Sequence, residues 1–318
     1  MTYEEISKVL EINGKESDIF LPNEIFSDLQ PYITDSSHIA YAYSYTYLTH
    51  FLYRNYKYLY TQKLLDGNVI KKILGYSQSN RTMNYITKKG GLLDEHGYTK
   101  STKNYPNIYQ FEEGFASLLA AESIGDVLPL VVPKMFFLKY PLLAFDRVLK
   151  LEVEGQIEEK KIAGTFFDKT NTHSVPFKVF LYCMSNKELG VIAFYLFCWF
   201  KYRNDMFGGG YDVPLSKLSK ETGIKRRSLI KYMDLLKGYR MIDFIHNQNF
   251  FVLGALKEDR KATKYIANDI NNFSEEHKSY KKMDVQLREE YFKLKAEQEE
   301  KMKGTINKVN IRISELLF

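Results

Sequence analysis

Gly75 and Gly223 each stand between two short stretches whose apolar residues recur at helical spacing. That punctuation restricts the fold more than any other feature of the chain. A glycine at such a point takes the left-handed conformation that ends one helix and starts another at a steep angle. In the second half, Leu215, Leu218, Ile224, Leu229, Met233 and Leu236 fall where two helices meeting around the turn would close a small core. Residues 241–253 then read as a β-hairpin with His246, Asn247, Gln248 and Asn249 at its tip. In the first half, NVIKKILGYSQSNRTMNYITKKGGLLDEHGYT divides into a short helix, the Gly75 turn, a second helix, a Gly90-Gly91 stop and a hairpin-like LLDEHGYT. Each half therefore predicts a helix-turn-helix followed by a wing. The two align weakly but in order, Gly75 with Gly223 and Leu92-Leu93-Asp94 with Met241-Ile242-Asp243.

The fold class expected is α+β, mainly helical, with two winged helix-turn-helix units, a mixed connector and a charged C-terminal helix. The expected organisation is an N-terminal arm over 1–35, a first unit over 36–110, an α+β connector over 111–184, a second unit over 185–256 and a helical tail over 257–318. The arm carries a helical pattern over 3–12 and a strand-like stretch over 20–23. From the N-cap candidates Asp35, Ser36 and Ser37, the rows Ile39, Tyr43, Tyr47, Phe51 and Leu48, Leu52 fit a long helix. The odd-numbered Tyr41, Tyr43, Tyr45 and Tyr47 fit a strand equally well. VLKLEVEG in the connector and GYDVP after the glycines at 208–210 read as strands. Ser185 and Glu188 have capping-box spacing ahead of a five-turn apolar helix. Beyond 257 the mixed charges favour a solvated helix. Leu287, Tyr291, Leu294, Met302, Ile306, Val309, Ile313 and Leu316 approximate a 4-3 repeat that would suit a homodimer or a partner surface.

The 318 residues suffice for two or three domains, and a 45% hydrophobic share carried largely by 25 Tyr and 22 Phe can fill a core while presenting amphipathic surface. Cys183 and Cys198 lie in apolar stretches away from any ligand partner, so no metal or cofactor is expected and a reduced, cytoplasmic setting is. The polar N-terminus and the lack of an uncharged apolar run near the roughly 18 residues a bilayer requires argue against secretion and membrane insertion. The net charge of +6 is modest, but its distribution is uneven. Residues 1–36 sum to about −6, while 69–103 and 225–240 each sum to about +5.

Those two basic stretches coincide with the second helix of each unit. In the C-terminal unit Lys225, Arg226, Arg227, Ser228, Lys231 and Tyr232 supply phosphate donors and the arginine fork that matches guanine edges in a major groove. His246 and Asn247 on the wing can donate to phosphate or minor-groove acceptors. In the N-terminal unit Ser77, Gln78, Ser79, Asn80, Arg81, Asn84, Tyr85 and Lys88 form a polar set with amides suited to adenine, followed by Lys100, Ser101, Thr102, Lys103 and Asn104 on its wing. Two readers in one chain could occupy successive major grooves about one helical turn apart.

On GYSQSNRTMNYITKKGGLLDEHGY and SKLSKETGIKRRSLIKYMDLLKGYRMIDF, the layout resembles the tandem winged-helix replication initiators of bacterial plasmids and phages. The second unit is also similar to the winged helix of DnaD-type primosomal proteins. The resemblance implies sequence-specific binding of double-stranded DNA and control of replication, with replication proteins as partners. A transcriptional regulator working with RNA polymerase, or an architectural or partitioning protein, would share the DNA-binding step. The chain is not expected to be an enzyme. It has no phosphate-cradling G-x-x-x-x-G-K-[ST], no His-x-His for a nickase and no His-x-x-Arg for a tyrosine recombinase. Asp146, Glu158 and Lys160 follow the acid, acid-x-Lys order of metal-dependent nucleases, but such triples arise readily among 39 acids and 45 bases, and a solvated turn is the expected reading.

Overall fold

In the computed structural model, residues 1–55, 57, 65–103, 106–112, 115–120, 137–153, 155–248, 250–254 and 261–316 are described. Asp35 starts the longest buried helix, α3 (Ser36–Arg54), its carboxylate accepting from the Ser37 and His38 backbone N–H groups at 2.8 and 3.3 Å. The tyrosines at 41–47 therefore lie on a helix. It is buried on every side, and the small residues between its tyrosines let neighbours approach. Two of its hydroxyls are satisfied locally, Thr46 and Thr49 donating to the Ala42 and Tyr45 carbonyls at 2.9 Å each. Against it lies α8 (Gly190–Phe207), buried all round from Val191 to Phe200, joined through Tyr43, Tyr47, Phe194 and Tyr195 with ring centroids 5.0 to 5.9 Å apart.

Around this pair the chain is α+β, with short helices and sheets of two or three strands. The first half contributes α1 (Tyr3–Val9), β1 (Ile19–Pro22), α2 (Ile25–Asp28), α4 (Gly67–Ile73), α5 (Asn84–Thr87), α6 (Leu92–Glu95) and β2 (Thr99–Thr102). Next come the hairpin β3 (Pro106–Glu112) and β4 (Phe115–Ala120), β5 (Leu138–Pro141), the hairpin β6 (Asp146–Val153) and β7 (Gln156–Ala163), β8 (Thr172–Val175) and α7 (Phe177–Ser185). After α8 follow β9 (Tyr211–Val213), α9 (Leu215–Thr222), α10 (Arg226–Gly238), β10 (Ile242–His246), β11 (Phe250–Leu253), β12 (Thr263–Ala267), β13 (Asp284–Leu287) and α11 (Arg288–Leu316). No described helix is long and apolar enough to cross a membrane.

The hydrophobic core runs across the boundaries expected at 35, 110 and 184. One cluster extends from Ile6 through Tyr98, Leu138 and Phe180 to Tyr265. The expected arm is built into it, since β1 pairs antiparallel with β8, Ile19 opposite Val175, and Gln30 donates to the Glu221 carbonyl at the end of α9.

Several local expectations are corrected. Ser185 is no N-cap: it closes α7 and its hydroxyl donates back to the Leu181 carbonyl at 2.8 Å, while Glu188 receives the Tyr239 hydroxyl. The second helix of the first unit shrinks to the single turn α5, because Ser77, Asn80 and Thr82 hydrogen-bond one another locally and hold the chain in turns. LLDEHGYT opens as helix α6, and its Thr99 enters β2, which pairs with the distant β5. Residues 241–253 do not close on themselves. β10 pairs with β12, β12 with β9, and β11 runs parallel to β13. The tail therefore starts as sheet, with Tyr265 buried in the middle strand, and becomes a charged helix only at Arg288. Asn104 and Asn249 lie outside the described residues.

Two buried histidines tie the core to pH. The Asn23 amide donates to Asn171, which turns its oxygen toward His173 and makes Nδ1 of that ring the donor; Nε2 then accepts the Tyr43 hydroxyl at 2.7 Å. Burial lowers His173 to about 3 and His50 to about 4. Both are neutral when folded and bind a proton near pH 6.5 when unfolded, so stability is lost as pH falls below that value. The unfolding free energy should drop by about 2 kcal/mol per histidine between pH 7 and 5 in denaturant titrations. His50→Phe should remove its share of that drop, and coincident pH profiles for the two proteins would disprove the assignment. Tyr43→Phe, which strips His173 of its donor, should cost about 1–3 kcal/mol by the same measurement.

Candidate nucleic-acid interface

The turn between α9 and α10 is held from three directions. Gly223 takes φ +68, and a Cβ there would lie 3.2 Å from Ile39 of α3. The Thr222 hydroxyl donates to the Leu218 carbonyl at 2.8 Å and accepts from the Ile224 N–H, while Tyr195 of α8 donates to the Thr222 carbonyl at 2.9 Å. Leu218, Ile224, Leu229, Met233 and Leu236 are buried as their spacing required, with Leu215 half-buried at the edge. The start of α10 is fixed from outside, because the Lys225 N–H donates to the Ser36 hydroxyl at 2.8 Å. One face of α10 is thus locked into the core, and its other face is presented by a rigid support.

That outward face begins with Lys225, Arg226, Arg227, Ile230 and Lys231, all exposed, with Ser228 and Tyr232 half-buried at its margin. None of the four cations there forms a salt bridge among the described residues. Lys231 lies over the Tyr232 ring at 5.4 Å. Behind Arg226 a cleft of about 460 Å³ separates α10 from the strands, with Lys237, His246, Lys261, Phe251 and Met283 on its walls. Lys237 sits 4.6 Å from the Phe244 ring centroid and is half-buried, and desolvation lowers its pKa against the pull of Asp234.

His246 and Asn247 are not at a tip. His246 Nδ1 meets the Thr263 hydroxyl at 3.1 Å, and the Asn247 amide donates to the Ala262 carbonyl at 2.6 Å and to Asp212. Both residues tie β10 to its neighbours, which the expected hairpin register concealed.

In the first half Ser77, Gln78, Ser79, Arg81, Tyr85, Lys88 and Lys100 are exposed. Asn84 is committed inward, where Lys71 Nζ donates to its side chain at 2.6 Å and to the Asn80 main-chain carbonyl at 2.8 Å, while the Asn80 side chain accepts from Thr82. Lys103 and Lys89 both lie over Phe137, at 5.3 and 4.8 Å. Asp94 anchors the base of this region, accepting from Lys139, Thr99 and Ser101 at 2.6–2.8 Å. Burial would raise its pKa, but those donors outweigh burial and lower it.

The two halves of the candidate surface meet at the N-terminus of α3. Ser36 receives Lys225, Ser37 receives the Tyr76 hydroxyl at 3.5 Å, and His38 meets the Tyr85 hydroxyl at 3.0 Å. Tyr232 of α10 and the Gly75 turn line one common cleft. The two basic stretches therefore adjoin at the start of α3.

Asp146, Glu158 and Lys160 are not brought together as a metal site. Leu151 stands opposite Glu158 and Asp146 opposite Ala163, which separates the two acids by five strand positions, roughly 16 Å. Among the described residues no group of three or more His, Cys, Asp or Glu could hold a metal ion. Compared with family models, with curated proteins and with solved structures, the chain matches none.

Proposed function

We propose that this chain is a sequence-specific double-stranded-DNA-binding protein whose principal reader is α10, lying with its first two turns in the major groove. The observation that carries this reading is the row of unpaired cations Lys225, Arg226, Arg227 and Lys231 on the outward face of a helix whose other face is locked into the core. Arginine in that position can fork onto guanine O6 and N7, and lysine can neutralise flanking phosphates.

The surrounding topology supports it. Helix α8, strand β9, helices α9 and α10, and strands β10 and β12 follow one another in the order of a winged helix, with β12 between β10 and β9. The insertion between β10 and β12 stands where a wing would. The first half contributes differently from a second reader. With one helical turn at α5 and Asn84 turned inward, its exposed Ser77, Gln78, Ser79, Arg81 and Lys88 suit contacts to the sugar-phosphate backbone beside the α10 site. Control of plasmid or phage replication is the biological role that the resemblance of the two glycine-punctuated segments favours.

Selection of bound sequences from a random duplex library should yield a motif for the intact protein, with Arg226→Ala and Arg227→Ala each relaxing it at one or two positions. Each substitution should weaken binding by about 1–3 kcal/mol in a fluorescence-anisotropy titration. An unaltered motif and affinity in both would remove α10 as the reader. Arg81→Ala and Lys88→Ala should weaken all sequences alike and lower the slope of log K against log salt by about 0.9 for each phosphate no longer neutralised. A change of motif instead would restore base reading to the first half.

A further inference from the structure

The outward face of α10 is not free along its whole length. Arg227, Lys231, Asp234 and Gly238 follow one another at spacings of three or four along that face, with Ile230 beside Lys231. Over the last two turns it is covered by residues 274–282, which run back along the helix between β12 and β13. The Ser274 N–H donates to the Tyr239 carbonyl and the Lys278 N–H to the Gly238 carbonyl, both at 2.9 Å. The His277 ring rests on Gly238 so closely that an added Cβ would lie 2.1 Å from its Nε2. The Tyr280 hydroxyl donates to Asp234 at 2.6 Å while its ring packs edge-on against Phe244, and Tyr182 of α7 donates to the Ser274 carbonyl at 2.6 Å. A segment held at both ends and in the middle is a built strap.

The strap changes the charge of the face it covers. Asp234 is the acid at the centre of that face, where it would repel DNA phosphates. It is met by the Tyr280 hydroxyl, by Lys282 Nζ at 3.5 Å and by His277 Nε2 at 3.6 Å. Lys282 keeps 77% of its side chain exposed despite that contact, and Lys281 beside it is exposed as well. Lys282 therefore stands at the C-terminal edge of the cation row that begins at Lys225, with Lys281 next to it in the chain.

Resting on the DNA-binding reading above, we propose that the 274–282 strap is the second wall of the interface: it confines base reading to the first two turns of α10 and clamps one DNA strand through Lys281 and Lys282. A helix pushed deeper into the groove would drive the strap into the backbone of the duplex. The strap thus sets the depth of insertion, and its two lysines meet the phosphates that this depth brings to them.

The test uses the full-length protein and duplex DNA, with affinity followed from low to high salt. Lys281→Ala with Lys282→Ala should lower the slope of log K against log salt by about 1.8, weaken binding about ten- to thirtyfold at physiological salt, and leave the selected motif unchanged. The double arginine variant should restore the slope. If Lys282 served only to cancel Asp234, adding Asp234→Asn to the alanine pair would recover both slope and affinity, and that recovery would overturn the proposal. An unchanged slope in a double alanine variant whose parent binds DNA would overturn the strap contact alone. A parent that binds no duplex at all would overturn the DNA-binding reading, and the strap contact with it.

Discussion

Tyr43 and Tyr47 of α3 meet Phe194 and Tyr195 of α8 in edge-on and tilted ring contacts, and β8 and the α9–α10 turn are attached to that crossing. Both helices are surrounded by protein, so neither can shift without opening the core. Their polar atoms are used to attach neighbours. Tyr47 donates to the Val175 carbonyl on β8, Tyr43 to His173, and Tyr195 to the Thr222 carbonyl at the end of α9. Aromatic residues suit this task because each buries a large apolar area and still offers a polar group at its far end.

Seen from this crossing, α10 is an extension of the core into solvent. Ser36 at the start of α3 holds the start of α10, and Ile39 one turn later closes on Gly223. The cations of α10 therefore stand on a support that loses little conformational freedom when a partner binds, which lowers the entropic cost of recognition. The chain's net charge of +6 would not by itself direct it to nucleic acid. In the proposed reading the concentration of charge on one rigid face does so instead, since short-range contacts and the local field outweigh the distant background at physiological ionic strength.

Around α3, α9 and α10 the local signals were legible. Asp35 caps α3, Gly223 turns α9 into α10, Leu218, Leu229 and Met233 are buried, and Arg226 and Arg227 are exposed, all as spacing and residue type require. The first unit was less legible. Ser77, Asn80, Thr82 and Asn84 have a pattern compatible with a helix, but their side chains compete for the backbone and for Lys71, and only one turn survives. The stretch 263–287 was hidden because its mixed charges favour a solvated helix. Tyr265 and Tyr280 decide otherwise, one buried in the sheet and the other bonded to Asp234, and neither partner lies within a helical turn along the chain.

The sequence by itself determined the pair of helices around Gly223, the amphipathic faces of that pair and the location of the basic stretches, because these depend on residues within one or two turns of each other. Tertiary structure alone decided that β12 fills the sheet beside β10, that the two basic regions join at the start of α3, and that residues 274–282 cover the end of α10. Strand partners and covering segments are chosen by the burial they complete, and that burial exists only after distant parts of the chain have come together.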